Sequence, residues 1–429
     1  MNRRRFFRLL PPFLVALVLG VISQPARGSA AVQLDKTFGT NGKTVVRFSG
    51  IGEVGRALVV QTDGKLLLAG GGCCQSIGSG DLALVRLKTN GKPDTTFGQA
   101  GSKLINLSTT GGEPDEELWD LAASPGGKYV GVGDSDLAAG ALVARFLSTG
   151  ALDTSFGSGK GWVSVSFGES GIGLEVLVRN DGRIVVGGTL KVAGQPRGFA
   201  LARLLSTGQL DTTFGSGGVV TLLSKSIPGL FGDMALDPQG RLLVVGRDGN
   251  AWRSVRLKTD GKFDPTFGTG GQVLAPVVGS APSPCCVAVA PDGKIVIGGG
   301  FQVGSDPSTG LGFAVARALS NGQLDTSFGG GDGFVSTGSP VDQDQITDLL
   351  VEPGGKIVAT GRIKGSAVLV RYLSNGNPDT GFGVGGILKV GHPEGSRGEA
   401  VARDAQGRLY LVGNVGLNAG FLAARTTAK

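Results

Sequence analysis

Few side chains in this sequence have the types and spacing needed for chemistry, and one histidine already excludes much. His392 stands alone in a glycine-rich stretch, and a single imidazole cannot assemble acid–base or metal chemistry that needs several. A solvated loop side chain is expected there. No Gly-x-Ser-x-Gly elbow, His-Glu-x-x-His pair or phosphate-cradling loop occurs, and Gly-x-Gly matches are expected by chance in a chain with 78 glycines. The four cysteines form two adjacent pairs, Cys73-Cys74 and Cys285-Cys286, far apart in the chain. A zinc site would need all four thiols together, so vicinal disulfides, or plain thiols, are expected in place of a long-range bridge.

Carboxylates are more suggestive. Counting six residues back from each recurring turn described below gives Ala57, Asp120, Glu175, Asp233, Cys286, Asp348 and Ala400, four of which are acidic. If these positions ring one mouth of a channel, Asp120, Glu175, Asp233 and Asp348 bring like charges together. They would then hold Ca²⁺ or another hard cation, or attract a basic group of a partner. The alternative is that each turns aside to accept backbone N–H groups of its own loop. Glu53, Glu116, Glu117, Trp119, Asp344 and Glu399 are expected in the loops just before, on the same face.

Arginines recur as regularly. Arg86, Arg145, Arg203, Arg256, Arg317 and Arg371 each lie eight residues before Asp94, Asp153, Asp211, Asp264, Asp325 and Asp379. A constant offset to an acid fits a bidentate brace between two strands better than an anion-binding surface.

The elements that must position these groups follow from the repeat itself. Each of those aspartates opens a motif, as in Leu34-Asp35-Lys36-Thr37-Phe38-Gly39 or Leu324-Asp325-Thr326-Ser327-Phe328-Gly329, and the seven successive aspartates are 59, 59, 58, 53, 61 and 54 residues apart. Such a period suits one propeller blade. Between motifs an apolar strand runs into a turn such as Asp63-Gly64, Asp181-Gly182 or Asp292-Gly293. A β-branched strand and a third strand follow, and a fourth comes after Phe-Gly. Asp-Gly and Asn-Gly tolerate the positive φ of tight hairpins. The expected fold is therefore all-β, a seven-bladed propeller of four-stranded antiparallel blades. The chain begins with one strand, Lys43 to Phe48, and ends with three, the last being Phe421 to Arg425. Joining them completes the seventh blade, gives Arg425 its acid in Asp35 and removes two open sheet edges.

The Leu-Asp-x-Thr/Ser-Phe-Gly motif with its Asp-Gly-Lys hairpin resembles the delta-60 or DUF5122 type of bacterial β-propeller over residues 34–425. The hairpin departs from the pattern at Gly126-Gly127, Gly354-Gly355 and Gln406-Gly407. The resemblance implies a fold and leaves the biochemical role open.

Composition bounds the remaining readings. The formal charge of +7 includes Arg3, Arg4, Arg5, Arg8 and Arg27, so the rest of the chain carries about +2 (7 − 5) and shows no clustered basic footprint for nucleic acid. The arginines precede an apolar run from Phe13 to Ile22 and small residues near Gly28 to Ala31, the order of a secretory signal over residues 1–30. The pattern is of twin-arginine or Sec type, with the mature chain expected to begin between Ser29 and Val32. These readings predict a secreted or periplasmic monomer without a membrane span, a non-enzymatic binding or scaffolding propeller whose mouth loops hold a protein or glycan. No cofactor is expected apart from the Ca²⁺ considered above. The rivals are a metal-assisted hydrolase or lyase using the acidic ring, and a purely structural surface protein.

Overall fold

The computed structural model describes residues 31–47, 51–73, 80–108, 115–138, 140–167, 170–191, 198–223, 230–248, 251–276, 280–302, 313–337, 344–416 and 419–428. The expected leader, residues 1–30, and Cys74 lie outside the described residues, as does the side chain of Cys73. Among the described residues no helix is long and apolar enough to cross a membrane.

Seven four-stranded antiparallel sheets form the seven blades of a propeller. The innermost strands are Ile51–Val60, Glu116–Ser124, Ser170–Val178, Leu230–Leu236, Ser280–Val289, Gln345–Val351 and Ser396–Arg403, in blades 1 to 7. Each enters its hairpin through a glycine with positive φ, as at Gly64 (78°) and Gly182 (79°), a conformation that costs other residues a steric penalty. The third strands show why the repeat is needed. Ala141–Phe146 is buried along its whole length, because neighbouring blades cover both faces and the usual in–out alternation disappears. Seven hydrophobic clusters result, each straddling two adjacent blades.

Ring closure joins the two ends of the chain. Lys43–Val46 pairs antiparallel with Phe421–Arg425, which continues into Leu409–Val415 and Ser396–Arg403. Both strand positions agree with the sequence expectation, the first running to Val46, while Phe48 lies outside the described residues. Val32 adds a second tie: its N–H bonds Gly381 O at 3.0 Å and its carbonyl accepts from Gly383 N at 2.9 Å. At other junctions a turn of the following blade takes the corresponding glycine N–H, as in Gly39 N to Asn90 O and Gly215 N to Asp260 O. At the junction of blades 6 and 7 the Val32 carbonyl takes that place.

The repeated motif is a compact polar clamp. Arg Nε donates to Asp Oδ2 at 2.7 to 3.0 Å in all seven repeats, Arg425 and Asp35 included. Arg425 also meets Asp35 Oδ2 through Nη2 at 2.7 Å, whereas in the other repeats the expected two-pronged grip on the carboxylate is divided. In six repeats Nη2 donates to the Thr or Ser hydroxyl two residues past the aspartate, for instance Arg203 to Thr213 Oγ1 at 2.9 Å. The guanidinium also lies 4.5 to 4.9 Å from the motif phenylalanine ring. Nη1 reaches a carbonyl of the next blade, such as Ser148 from Arg86 or Thr89 from Arg425. A second cation, from the residue just past the hairpin glycine, joins the same aspartate: Lys128 to Asp153 at 2.8 Å, Arg183 to Asp211 at 2.8 Å and Lys356 to Asp379 at 2.7 Å. That role is one the sequence reading did not assign, although Lys or Arg occupies the position in every repeat.

Candidate functional site: the channel wall and rim

All seven innermost strands carry a bulge at one place, where register shifts before Ala57, Asp120, Glu175, Asp233, Cys286, Asp348 and Ala400. An extra residue in one strand bends it and redirects neighbouring side chains. Here it puts an equivalent side chain from each blade on the channel wall.

Three aspartates use that position in the same manner. Asp120 accepts Leu121 N–H at 2.7 Å and, from blade 3, Val176 N–H at 2.9 Å. Asp233 accepts Met234 N–H at 2.5 Å and, from blade 5, Val287 N–H at 2.6 Å. Asp348 accepts Leu349 N–H at 2.7 Å and, from blade 7, Val401 N–H at 2.8 Å. Each carboxylate thus links its own strand to the next blade, at the 2–3, 4–5 and 6–7 junctions. The alternative of capture by the residue's own loop describes one oxygen of each, while the other crosses a blade boundary. Glu175, one methylene longer, hydrogen-bonds the Asp120 carboxyl instead. Cys286 completes an arc of five such groups in blades 2 to 6, and Ala400 and Ala57 leave blades 7 and 1 without one.

Burial dominates the electrostatics of this arc. It pushes the Asp120 carboxyl up and takes Asp348 up to about 7 against the opposing pull of their backbone donors. Asp233 rises through burial and then Asp348, and Glu175 through burial and then Asp120 and Asp233. The arc therefore carries less than its formal charge at neutral pH. Among the described residues no three His, Cys, Asp or Glu side chains are placed to share one metal ion.

Where the ring acids are missing, the bulge residues themselves carry charge. Arg56 of blade 1 donates Nε to Glu117 Oε1 at 2.8 Å, lies 4.3 Å from the Trp119 ring centroid and has Nη1 3.8 Å from Glu399 of blade 7. Glu399 also meets Arg397 at 3.2 Å and Asn414 Nδ2 at 3.0 Å, while Trp119 donates its indole N–H to Asp134 at 2.7 Å. Burial pushes the Glu117, Asp134 and Glu399 carboxyls up. The result is a half-buried mixed-charge rim across blades 7, 1 and 2.

The flanking acids differ from expectation in place. Glu53, Glu116, Glu117, Trp119 and Glu399 belong to the innermost strands, not to the loops before them, and Asp344 directly precedes one. Glu53, Glu116 and Asp344 are buried. Both oxygens of Glu116 accept Leu107 N–H, and Asp344 accepts Lys364 N–H at 2.9 Å, so these side chains hold neighbouring backbone. His392 lies after the outer strand of blade 6, where its Nδ1 accepts Glu394 N–H at 3.3 Å, away from the arc. A cavity of about 820 Å³ lies outside the channel between blades 4 and 5, lined mainly by apolar side chains such as Trp252, Leu274, Leu324 and Phe334.

Solved structures with the same fold include virginiamycin B lyase from Staphylococcus aureus, at 10% identity and a TM-score of 0.53 over 90% of this chain and 99% of that one. A catalytically inactive form of that lyase with quinupristin gives 10% identity and a TM-score of 0.54 over the same shares. A streptogramin B lyase gives 11% and 0.53 over 90% of this chain and 97% of that one. At such identities the likeness is one of fold alone. No curated protein matches the chain. The family model described as a domain of unknown function (DUF5122) beta-propeller matches residues 61–97, 179–214, 238–267, 290–328 and 353–382, each running from a hairpin to the motif phenylalanine. Five repeats of this chain thus match the DUF5122 β-propeller model, inside a ring of seven like blades.

Proposed function

We propose that this protein is an exported, monomeric, non-enzymatic binding or scaffolding propeller that holds a protein or glycan partner outside the cytoplasm. The contact surface is the mixed-charge rim at Arg56, Glu117, Trp119 and Glu399. The observation that carries this reading is the state of the channel acids: both oxygens of Asp120, Asp233 and Asp348 are taken by backbone N–H donors. A general base or metal ligand turns its carboxylate towards substrate or ion, whereas these three are oriented by backbone on both oxygens and serve to join neighbouring blades. The rim, by contrast, offers an arginine, an aromatic and carboxylates in one patch, the residue types that anchor interfaces.

Capture from the native cell envelope tests the proposal. Wild-type protein should retain a partner that the Arg56→Ala, Trp119→Ala variant loses, while the Asp120→Asn, Asp233→Asn, Asp348→Asn variant, if folded, should keep it. Turnover of a polysaccharide or peptide library that disappears in the triple variant would overturn the non-enzymatic reading. Heat on titration with Ca²⁺, together with a chelator-sensitive melt, would instead make the arc a cation site. Export is tested by N-terminal sequencing of the mature protein and by replacing Arg3 and Arg4 with Lys, which blocks only the twin-arginine route.

A further inference from the structure

The bulge common to the innermost strands has a second consequence, in blade 5 alone. Consecutive side chains of a regular strand leave on opposite faces, so adjacent thiols there do not meet. The register shift between Pro284 and Cys286 makes Cys285 the extra residue, and the two Sγ atoms lie 3.1 Å apart. Cys286 is 1% exposed, whereas Cys285 is only partly covered and donates its S–H to Ile346 O of blade 6 at 3.2 Å. We propose that Cys285 and Cys286 are a redox-active dithiol in the channel wall, oxidised reversibly to a vicinal disulfide by a small disulfide such as oxidised glutathione.

The chemistry balances as thiol–disulfide exchange. Cys285, the more accessible sulfur, attacks as thiolate one sulfur of the oxidant. The oxidant's S–S bond breaks, its other half leaves as a thiol, and a mixed disulfide forms on Cys285. Cys286 then loses its proton to water and attacks Cys285 Sγ, expelling the second half as a thiol. Two protein thiols are oxidised and one disulfide is reduced to two thiols. Burial, then Cys285 and the carboxyls of Asp348 on blade 6 and Asp233 on blade 4, push the Cys286 thiol up, which makes Cys285 the attacking group and the closing step the slower one. Neighbouring Cα atoms are ~3.8 Å apart across a trans peptide, below the ~4.4 Å lower limit usual for disulfides. The oxidised form is therefore strained and easily reduced, the property of a switch and not of a structural crosslink. Forming the bond also withdraws Cys285 from Ile346, so the redox state reaches the 5–6 blade junction.

The full-length protein is reduced, exposed to oxidised glutathione, treated with iodoacetamide and digested with trypsin. Residues 263–294 form one fragment carrying only Cys285 and Cys286, while Cys73 and Cys74 fall in residues 66–86. After oxidant, the 263–294 fragment should lack alkylation and be lighter by two hydrogens, and dithiothreitol should restore both alkylation sites. The Cys286→Ser variant should stop at the mixed disulfide on Cys285. Full alkylation of both thiols after oxidant, linkage to another fragment, or absence of the Cys285 adduct in Cys286→Ser would overturn the proposal.

Discussion

Replacing Asp211 with Asn should be among the most damaging single changes in the chain, although it removes one charge and no volume. Asp211 is 3% exposed and accepts from Arg203 Nε and Arg183 Nε, both at 2.8 Å, from Thr213 N at 3.1 Å and from Thr213 Oγ1 at 2.6 Å. Asn keeps one acceptor oxygen and turns an NH₂ group towards donors. Arg203, itself buried, is left with the Thr213 hydroxyl, the Phe214 ring and the Thr259 carbonyl, none of them charged, as its compensation. Breaking a buried pair by removing one partner costs about 3–5 kcal/mol, far above the ~0.2–1 kcal/mol of an exposed pair. Urea unfolding should show a loss of that size, and a cycle with Arg203→Met should show that the two losses do not add. Burial alone would raise the Asp211 carboxyl; the Thr213 hydroxyl, Arg183, Thr213 N–H and Arg203 together hold it well below the ordinary 3.8. For a depressed carboxyl, stability is present above the unfolded value and lost as pH falls through the folded one. The variant should consequently lose part of the wild-type acid sensitivity below about pH 4. A cost under ~1 kcal/mol with unchanged acid sensitivity would refute the clamp as the source of stability.

Blade 6 carries a flaw that a single residue should mend. Gly381 stands where the other six motifs have Thr or Ser, and Arg371 Nη2 is buried with no hydrogen-bond partner among the described residues. Gly381→Ser should raise stability by about 1 kcal/mol, read as a higher thermal midpoint, and no gain would mean that the hydroxyl does not reach. The channel acids give pH dependence of the opposite sign to the clamp. Asp348, taken from 3.8 up to about 7, contributes stability that is full below the unfolded value and is lost as pH rises towards 7. Melting temperature should therefore fall between about pH 4 and 7 and level off above, and Asp348→Asn should flatten that slope while lowering stability overall by about 1–3 kcal/mol through its mismatched N–H contacts. A slope unchanged in the variant would place the titrating group elsewhere.

Blade number, strand order and closure were all legible in the chain, because they depend on local signals that recur. Asp-Gly turns, β-branched runs and seven Asp-x-Thr/Ser-Phe-Gly-like motifs each act within a few residues, and repetition made the register unambiguous. Arg425 lacking a downstream acid even pointed to the seam. The Arg–Asp offset predicted contact, while the division of the guanidinium among carboxylate, hydroxyl, aromatic ring and next-blade carbonyl needed the fold. One of those partners comes from another repeat, and a linear spacing does not encode it.

The channel wall shows the same limit more sharply. From sequence, Asp120, Glu175, Asp233 and Asp348 form a column of equivalent acids, and equivalence suggested four charges gathered at a mouth. Tertiary structure decided where their oxygens went: the bulge turns each aspartate towards an N–H of the adjacent blade, and the longer Glu175 overshoots to Asp120. It also decided that adjacent cysteines face one way in blade 5 and that Arg56, Trp119 and Glu399 of three different blades share a rim. Local propensity sets which residues form strands and turns, because backbone sterics act over a few residues. Hydrogen-bond partners and charge environments depend on which blades become neighbours, and that is settled only when the ring closes.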